Sequence, residues 1–63
     1  MTGRKLRSFR QKLALTQAAL AEAIGVTSNT VARWERDEVV ISDLAARLLE
    51  KLAEERKIAR RGN

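Results

Sequence analysis

Apolar residues recur along this chain at intervals of three and four, the period of amphipathic helices. Leu6, Phe9 and Leu13 share one face of a first segment, Leu20, Ala21 and Ile24 mark a second, and Val31 and Trp34 mark a third. A longer stripe follows at Leu44, Ala45, Leu48, Leu49 and Leu52, extending toward Ile58. Thr2, Thr16, Thr27 and Ser42 precede the four segments, and each hydroxyl can accept from a free amide of a first helical turn. Gly25 sits where the chain must leave the second segment, and a left-handed turn costs glycine little. The pattern predicts helices over about residues 2–13, 17–24, 28–36 and 42–57, then a frayed basic tail over 58–63. Helices 2 and 3, joined by the tight glycine turn, make a helix-turn-helix unit. The fold class is all-α: a small four-helix bundle organised around Gln17 to Glu35.

Composition narrows what such a bundle can do. At 63 residues the chain is read as one domain, near the lower limit at which enough surface is buried to fold unaided. It has no cysteine and no histidine, so neither disulfides nor a usual zinc site can staple it. Stability must come from helix packing, with dimerisation as a second source. No apolar run approaches the roughly 20 residues of a membrane span. The basic N-terminus lacks the apolar stretch of a signal peptide. A soluble, cytoplasmic protein is expected. The acids are scattered without a partnered nucleophile, and Gly3, Gly25 and Gly62 form no phosphate loop. That argues against an enzyme, and no cofactor or metal is expected.

Net charge is +5, which favours a polyanionic partner. Arg4, Lys5, Arg7, Arg10 and Lys12 crowd the first segment and Arg56, Lys57, Arg60 and Arg61 the last, with the acids mostly between them.

The stretch TQAALAEAIGVTSNTVARWERD, from Thr16 to Asp37, resembles the Cro/C1-type (XRE) helix-turn-helix family. That family's pattern is roughly L-(S/T)-Q-x-x-L-A-x-x-h-G-h-S-x-x-x-h-x-x-W/Y-E-x-G, with h apolar. Gln17, the Leu20-Ala21 pair, Gly25, Val31 and the Trp34-Glu35 pair all stand in register, and the likeness covers about Leu6 to Asp37. It implies a lambda-repressor-like DNA-binding domain, with helix 3 in the major groove of double-stranded DNA and helices 1 and 2 on phosphates. The chain departs from the pattern in several ways. Ala19 stands where an acid often completes a capping box, and Asp37 stands where glycine is usual. Residues 37–41 lack the basic residues and proline common there, and one long helix replaces two short ones. The compact form resembles antitoxins and phage-type autoregulators.

On a helical wheel Asn29, Ala32, Arg33 and Arg36 point outward from helix 3, with Ser28 exposed at its start. In isolation this is the polar face of any amphipathic helix. In the helix-turn-helix register it becomes a reading face, because Asn pairs bidentately with adenine and Arg with guanine. Ser28, Asn29, Ala32 and Arg33 are therefore the expected base readers. Gln17, Thr27, Thr30, Arg36, Lys5 and Arg7 are the expected phosphate contacts, with an ordinary solvated face as the alternative for Lys5 and Arg7. Gln17 owes its assignment to the free amides at the start of helix 2 and to the resemblance. Arg10 and Glu35 both face inward and should pair across the core, as an arginine and a glutamate often do in the family. Their role would be structural.

The last helix carries more leucine than three short helices can cover. A two-fold dimer interface through Leu48, Leu49 and Leu52 is expected, the alternative being that all three belong to the protomer's own core. The basic tail reads equally as a solvated end or a phosphate arm. These features point to a transcriptional regulator, a dimeric autorepressor on a palindromic double-stranded DNA operator. A second reading is an antitoxin or interaction module that neutralises a partner protein through the last helix. Neither a membrane nor a small-molecule ligand is expected as a partner.

Overall fold

Every helix starts in the same way. The computed structural model describes the backbone of residues 1–61 and the side chains of residues 1–56. Among them are α1 (Gly3–Lys12), α2 (Gln17–Ile24), α3 (Ser28–Glu35) and α4 (Asp43–Arg61), and no strand. Thr2, Thr16, Thr27 and Ser42 stand immediately before them. Each hydroxyl oxygen accepts from the backbone N–H three residues on, at 3.2, 3.0, 3.2 and 3.1 Å respectively. Such a cap is typically worth about 1 kcal/mol over alanine. Leu15, Val26 and Ile41, one residue before three of the caps, pack on the core. That is the hydrophobic staple, which fixes the angle at which the chain enters a helix.

The first three helices also end alike. The Leu15 N–H returns to the Arg10 carbonyl at 3.2 Å, Val26 to Ala21 at 2.9 Å and Glu38 to Arg33 at 3.0 Å. The residue before each donor is left-handed: Ala14 at φ 57°, Gly25 at 80° and Asp37 at 59°. These are Schellman closures, which satisfy carbonyls that a helix end otherwise leaves open. Only Gly25 takes the conformation freely; a Cβ in this region costs roughly 1–2 kcal/mol. At Asp37 the side chain offsets that cost, because its Oδ1 accepts from the Gly3 N–H at 3.0 Å.

That bond joins the end of α3 to the start of α1, and it explains a glycine that is otherwise a poor helix starter. A Cβ on Gly3 would lie 2.5 Å from the Trp34 carbonyl oxygen and 2.6 Å from that of Glu35. Only glycine lets the electropositive end of α1 abut the electronegative end of α3.

Leu6, Leu20, Val31 and Leu49 are fully buried, joined by Ala21, Trp34, Ile41 and Ala45. Helix α2 is central, packing on both α3 and α4, while α1 packs on α3. Leu49 is thus core and not part of a dimer face: it lies on the same side of α4 as Ala45, turned inward. Among the described residues of α4 the outward large apolar ones are Leu44, 69% exposed, and Leu48, 40% exposed. In the loop before α4 only Ile41 covers the core, for Val39 and Val40 are exposed. Helix α4 continues to Arg61, past the end expected near residue 57. The side chain of Ile58 and those of the basic tail over 58–63 lie outside the described residues. Among the described residues no helix is long and apolar enough to cross a membrane.

Two opposite substitutions test this backbone reading. Gly3→Ala should cost about 1–3 kcal/mol, the usual penalty of forcing extra volume into a packed contact. Ala14→Gly should stabilise by up to about 1 kcal/mol by removing the left-handed Cβ. Urea unfolding followed by circular dichroism measures both, and the signs should be opposite.

Candidate nucleic-acid interface

Helix α3 is anchored on one side by Val31 and Trp34, both buried. Its other side carries Ser28, Asn29, Arg33 and Arg36, all exposed, with Thr30 and Ala32 half-buried at the margin. Three of the four predicted base readers are therefore exposed on one side, with Ala32 half-buried beside them and Arg36 one turn beyond. Thr27 and Thr30 are partly engaged within the helix. Thr27 Oγ1 accepts from the Thr30 N–H, and the two hydroxyls lie 2.8 Å apart. One hydroxyl proton of the pair is left over for a phosphate, whichever residue donates to the other.

What holds this surface is a four-residue network behind it. Arg10 Nε donates to Glu35 Oε2 at 2.7 Å and Arg10 Nη2 to Glu35 Oε1 at 3.1 Å, a bidentate pair. Arg10 Nη1 donates to the Leu15 carbonyl at 2.9 Å. Gln17 Nε2 donates to Glu35 Oε1 at 3.3 Å. The arginine and glutamate side chains are only 15% and 6% exposed. The network thus joins α1, the turn after it, the start of α2 and the end of α3. Gln17 was expected on a phosphate; its amide is tied to Glu35 by one bond and retains a second N–H. The backbone amides of Gln17 and Ala18 have no acceptor within α2. Lys5 and Arg7 are exposed on α1.

Burial pushes the Glu35 carboxyl up, but the hydrogen bonds from Arg10 and Gln17, with the charges of Arg10 and Arg7, outweigh it. The net effect holds Glu35 below the usual glutamate range. The hydrogen bond to Glu35 raises the Arg10 guanidinium against an opposing effect of burial. A depressed carboxylate contributes stability that is present above its unfolded value, about 4.3. That contribution is lost as pH falls through the lower folded value.

One interaction is not marked by the helical pattern of the sequence. Glu38, immediately after the left-handed Asp37, forms an ion pair with Arg36 through Nε and Oε2. Its other oxygen, Oε1, lies 4.0 Å from Arg33 Nε. The acid lies five residues after Arg33, and the Schellman turn between them folds it back onto the arginine.

On the far side of α2, Leu48 and Leu52 of α4 line an open groove of about 230 Å³ with Ala23, Ile24, Lys51 and Glu55. Leu52 is half-buried there.

A capped, exposed helix braced across a tight turn by a second helix is the helix-turn-helix arrangement of DNA-binding domains. The helix-turn-helix family model matches residues 6–55, and the chain belongs to this family, in its Cro/C1-type branch. It is similar to Repressor protein C2 of Salmonella phage P22, at 40% identity over 38 residues. That match covers 60% of this chain and 18% of the phage protein, so the chain spans a small part of its relative's length. No solved structure gives a significant match.

Removing Glu35 tests the network. Glu35→Ala leaves the part-buried Arg10 without its partner and should cost about 2–3 kcal/mol at neutral pH, below the roughly 3–5 kcal/mol of a fully buried pair. In the milder Glu35→Gln variant, the stability lost on acidification below about pH 4.3 should shrink. Thermal melts across a pH series measure both effects.

Proposed function

We propose that this chain is a sequence-specific, double-stranded DNA-binding transcriptional regulator, acting as a dimeric repressor on a palindromic operator. The observation that carries this reading is the outward face of α3. Ser28, Asn29 and Arg33 are exposed there, while the opposite face is locked by Val31, Trp34 and the Arg10–Glu35–Gln17 network. A rigid helix with amide and guanidinium groups outward suits the donor and acceptor pattern of the major groove. In this reading Ser28, Asn29, Ala32 and Arg33 contact bases. Gln17, Thr27, Thr30, Arg36, Lys5 and Arg7 contact phosphates. The relative's name, a phage repressor, supports the sign of regulation. Catalysis has no part in it.

The dimer interface falls to the outward face of α4. Leu44 and Leu48 are exposed apolar residues one turn apart, and Leu48 and Leu52 border the groove against α2. Two copies related by a two-fold axis would read half-sites about one helical turn, roughly 34 Å, apart. The groove also supports a second reading, capture of a partner protein at the same face.

An operator selected from a random duplex pool supplies the test. Asn29→Ala and Arg33→Ala should each cost about 1–3 kcal/mol on that operator and relax preference at particular bases. Equal losses on operator and random duplex would remove these residues from the reading set. Leu48→Glu should shift the protein to monomer in sedimentation and weaken operator binding. A protein that is monomeric at every concentration before substitution favours the second reading.

A further inference from the structure

We propose that Glu38 is a positioning residue that sets DNA specificity: its carboxylate binds Arg36 at Nε, stands 4.0 Å from Arg33 Nε, and aims the terminal edges of both guanidiniums outward. This inference rests on α3 being the DNA-reading helix.

The argument begins with where an acid should not be. A carboxylate at a helix C-terminus is opposed by the helix dipole, and one on a DNA-facing surface is repelled by phosphates. Glu38 occupies both situations. Its position is fixed by the backbone, because the left-handed Asp37 turns the chain back and the Glu38 N–H donates to the Arg33 carbonyl at 3.0 Å. Arg33 and Arg36 lie three residues apart, on neighbouring sites of one helix face. The single carboxylate meets both, with Oε2 on Arg36 Nε and Oε1 at 4.0 Å from Arg33 Nε. One acid therefore partly neutralises two cations that would otherwise repel each other.

The choice of nitrogen gives the pairing its consequence. A carboxylate bound at Nε leaves Nη1 and Nη2, the terminal edge, open. That edge makes the paired contact to guanine O6 and N7, or to two phosphate oxygens. An arginine without such a hold is a long, flexible cation that finds any nearby phosphate. Glu38 accordingly lowers affinity for DNA in general and raises discrimination between sequences. All three side chains are about half exposed, so the pairs contribute little to folding and Glu38 can be changed without loss of the fold.

Glu38→Gln tests this, with Glu50→Gln as a charge-matched control at an exposed position of α4. Each variant is titrated with the selected operator and with a random duplex across a salt series. For Glu38→Gln, affinity for the random duplex should rise several-fold. The slope of log affinity against log salt should steepen by about 0.9 for each arginine freed to a phosphate. The operator-to-random ratio should fall by about two- to fivefold, the size an exposed ion pair supports. Glu50→Gln should leave that ratio unchanged. If Glu38→Gln behaves as Glu50→Gln does, or lowers affinity for the random duplex, the proposal is overturned. Arg33→Ala separates the two levels of inference. A ratio unaltered by Arg33→Ala overturns the reading of α3 itself, and the role of Glu38 with it. A ratio that falls with Arg33→Ala but not with Glu38→Gln overturns only the latter.

Discussion

The ion pair between Arg10 and Glu35 is the constraint on which the rest of the domain depends. Two charges with side chains 15% and 6% exposed are costly to desolvate. They are tolerated because the geometry is bidentate and each partner makes a further hydrogen bond. The Leu15 carbonyl takes one guanidinium proton and Gln17 donates to the carboxylate. Helices of eight and ten residues are marginal alone, and a core of eight buried apolar residues among the described ones leaves few ways to fix their mutual angles. The pair fixes them. It sets the direction of α3 relative to α1 and α2, and so the direction in which Ser28, Asn29 and Arg33 project.

The end of α3 carries three acids within four residues, Glu35, Asp37 and Glu38. Three negative charges against a helix C-terminus would destabilise it were each not committed elsewhere. Glu35 turns inward to Arg10, and Asp37 caps the amide of Gly3 at the start of α1. Glu38 turns outward to Arg33 and Arg36. The same short segment therefore closes the core, joins two helix ends and meets the exposed arginines. Each task follows from the backbone: the inward face of the last turn, the left-handed residue after it, and the residue that the turn folds back.

Much of this was legible in the sequence, for local reasons. Hydroxyl residues ahead of apolar periods mark helix starts, and all four were read from Thr2, Thr16, Thr27 and Ser42. Gly25 marks its turn because glycine favours the left-handed region. Ala14 gives no such signal, and its turn emerges only from the tertiary packing that brings Leu15 to the core and to Arg10. Gly3 gives no signal either, because the carbonyls that forbid a Cβ there come from residues more than thirty positions away. The leucine stripe offers Leu49 to a dimer face or to the core alike, because a helical wheel does not say which edge meets the neighbouring helix. Leu49 sits with Ala45 on the inner edge, and Leu44 and Leu48 sit on the outer one. The place of Gln17 at a helix start suggests a phosphate contact; the bond it makes to Glu35 in addition depends on a fold the sequence does not display.

The central claim is that α3, held by the pair behind it, is the DNA-reading surface. It is tested most directly by amide and arginine Nε–H resonances of the labelled protein as the selected operator duplex is added. The account predicts that the largest shifts fall on residues 27–36 and on the Nε–H signals of Arg33 and Arg36, with the Arg10 Nε–H signal unchanged. Shifts concentrated instead on Leu44, Leu48 and the groove between α2 and α4, with α3 silent, would contradict it.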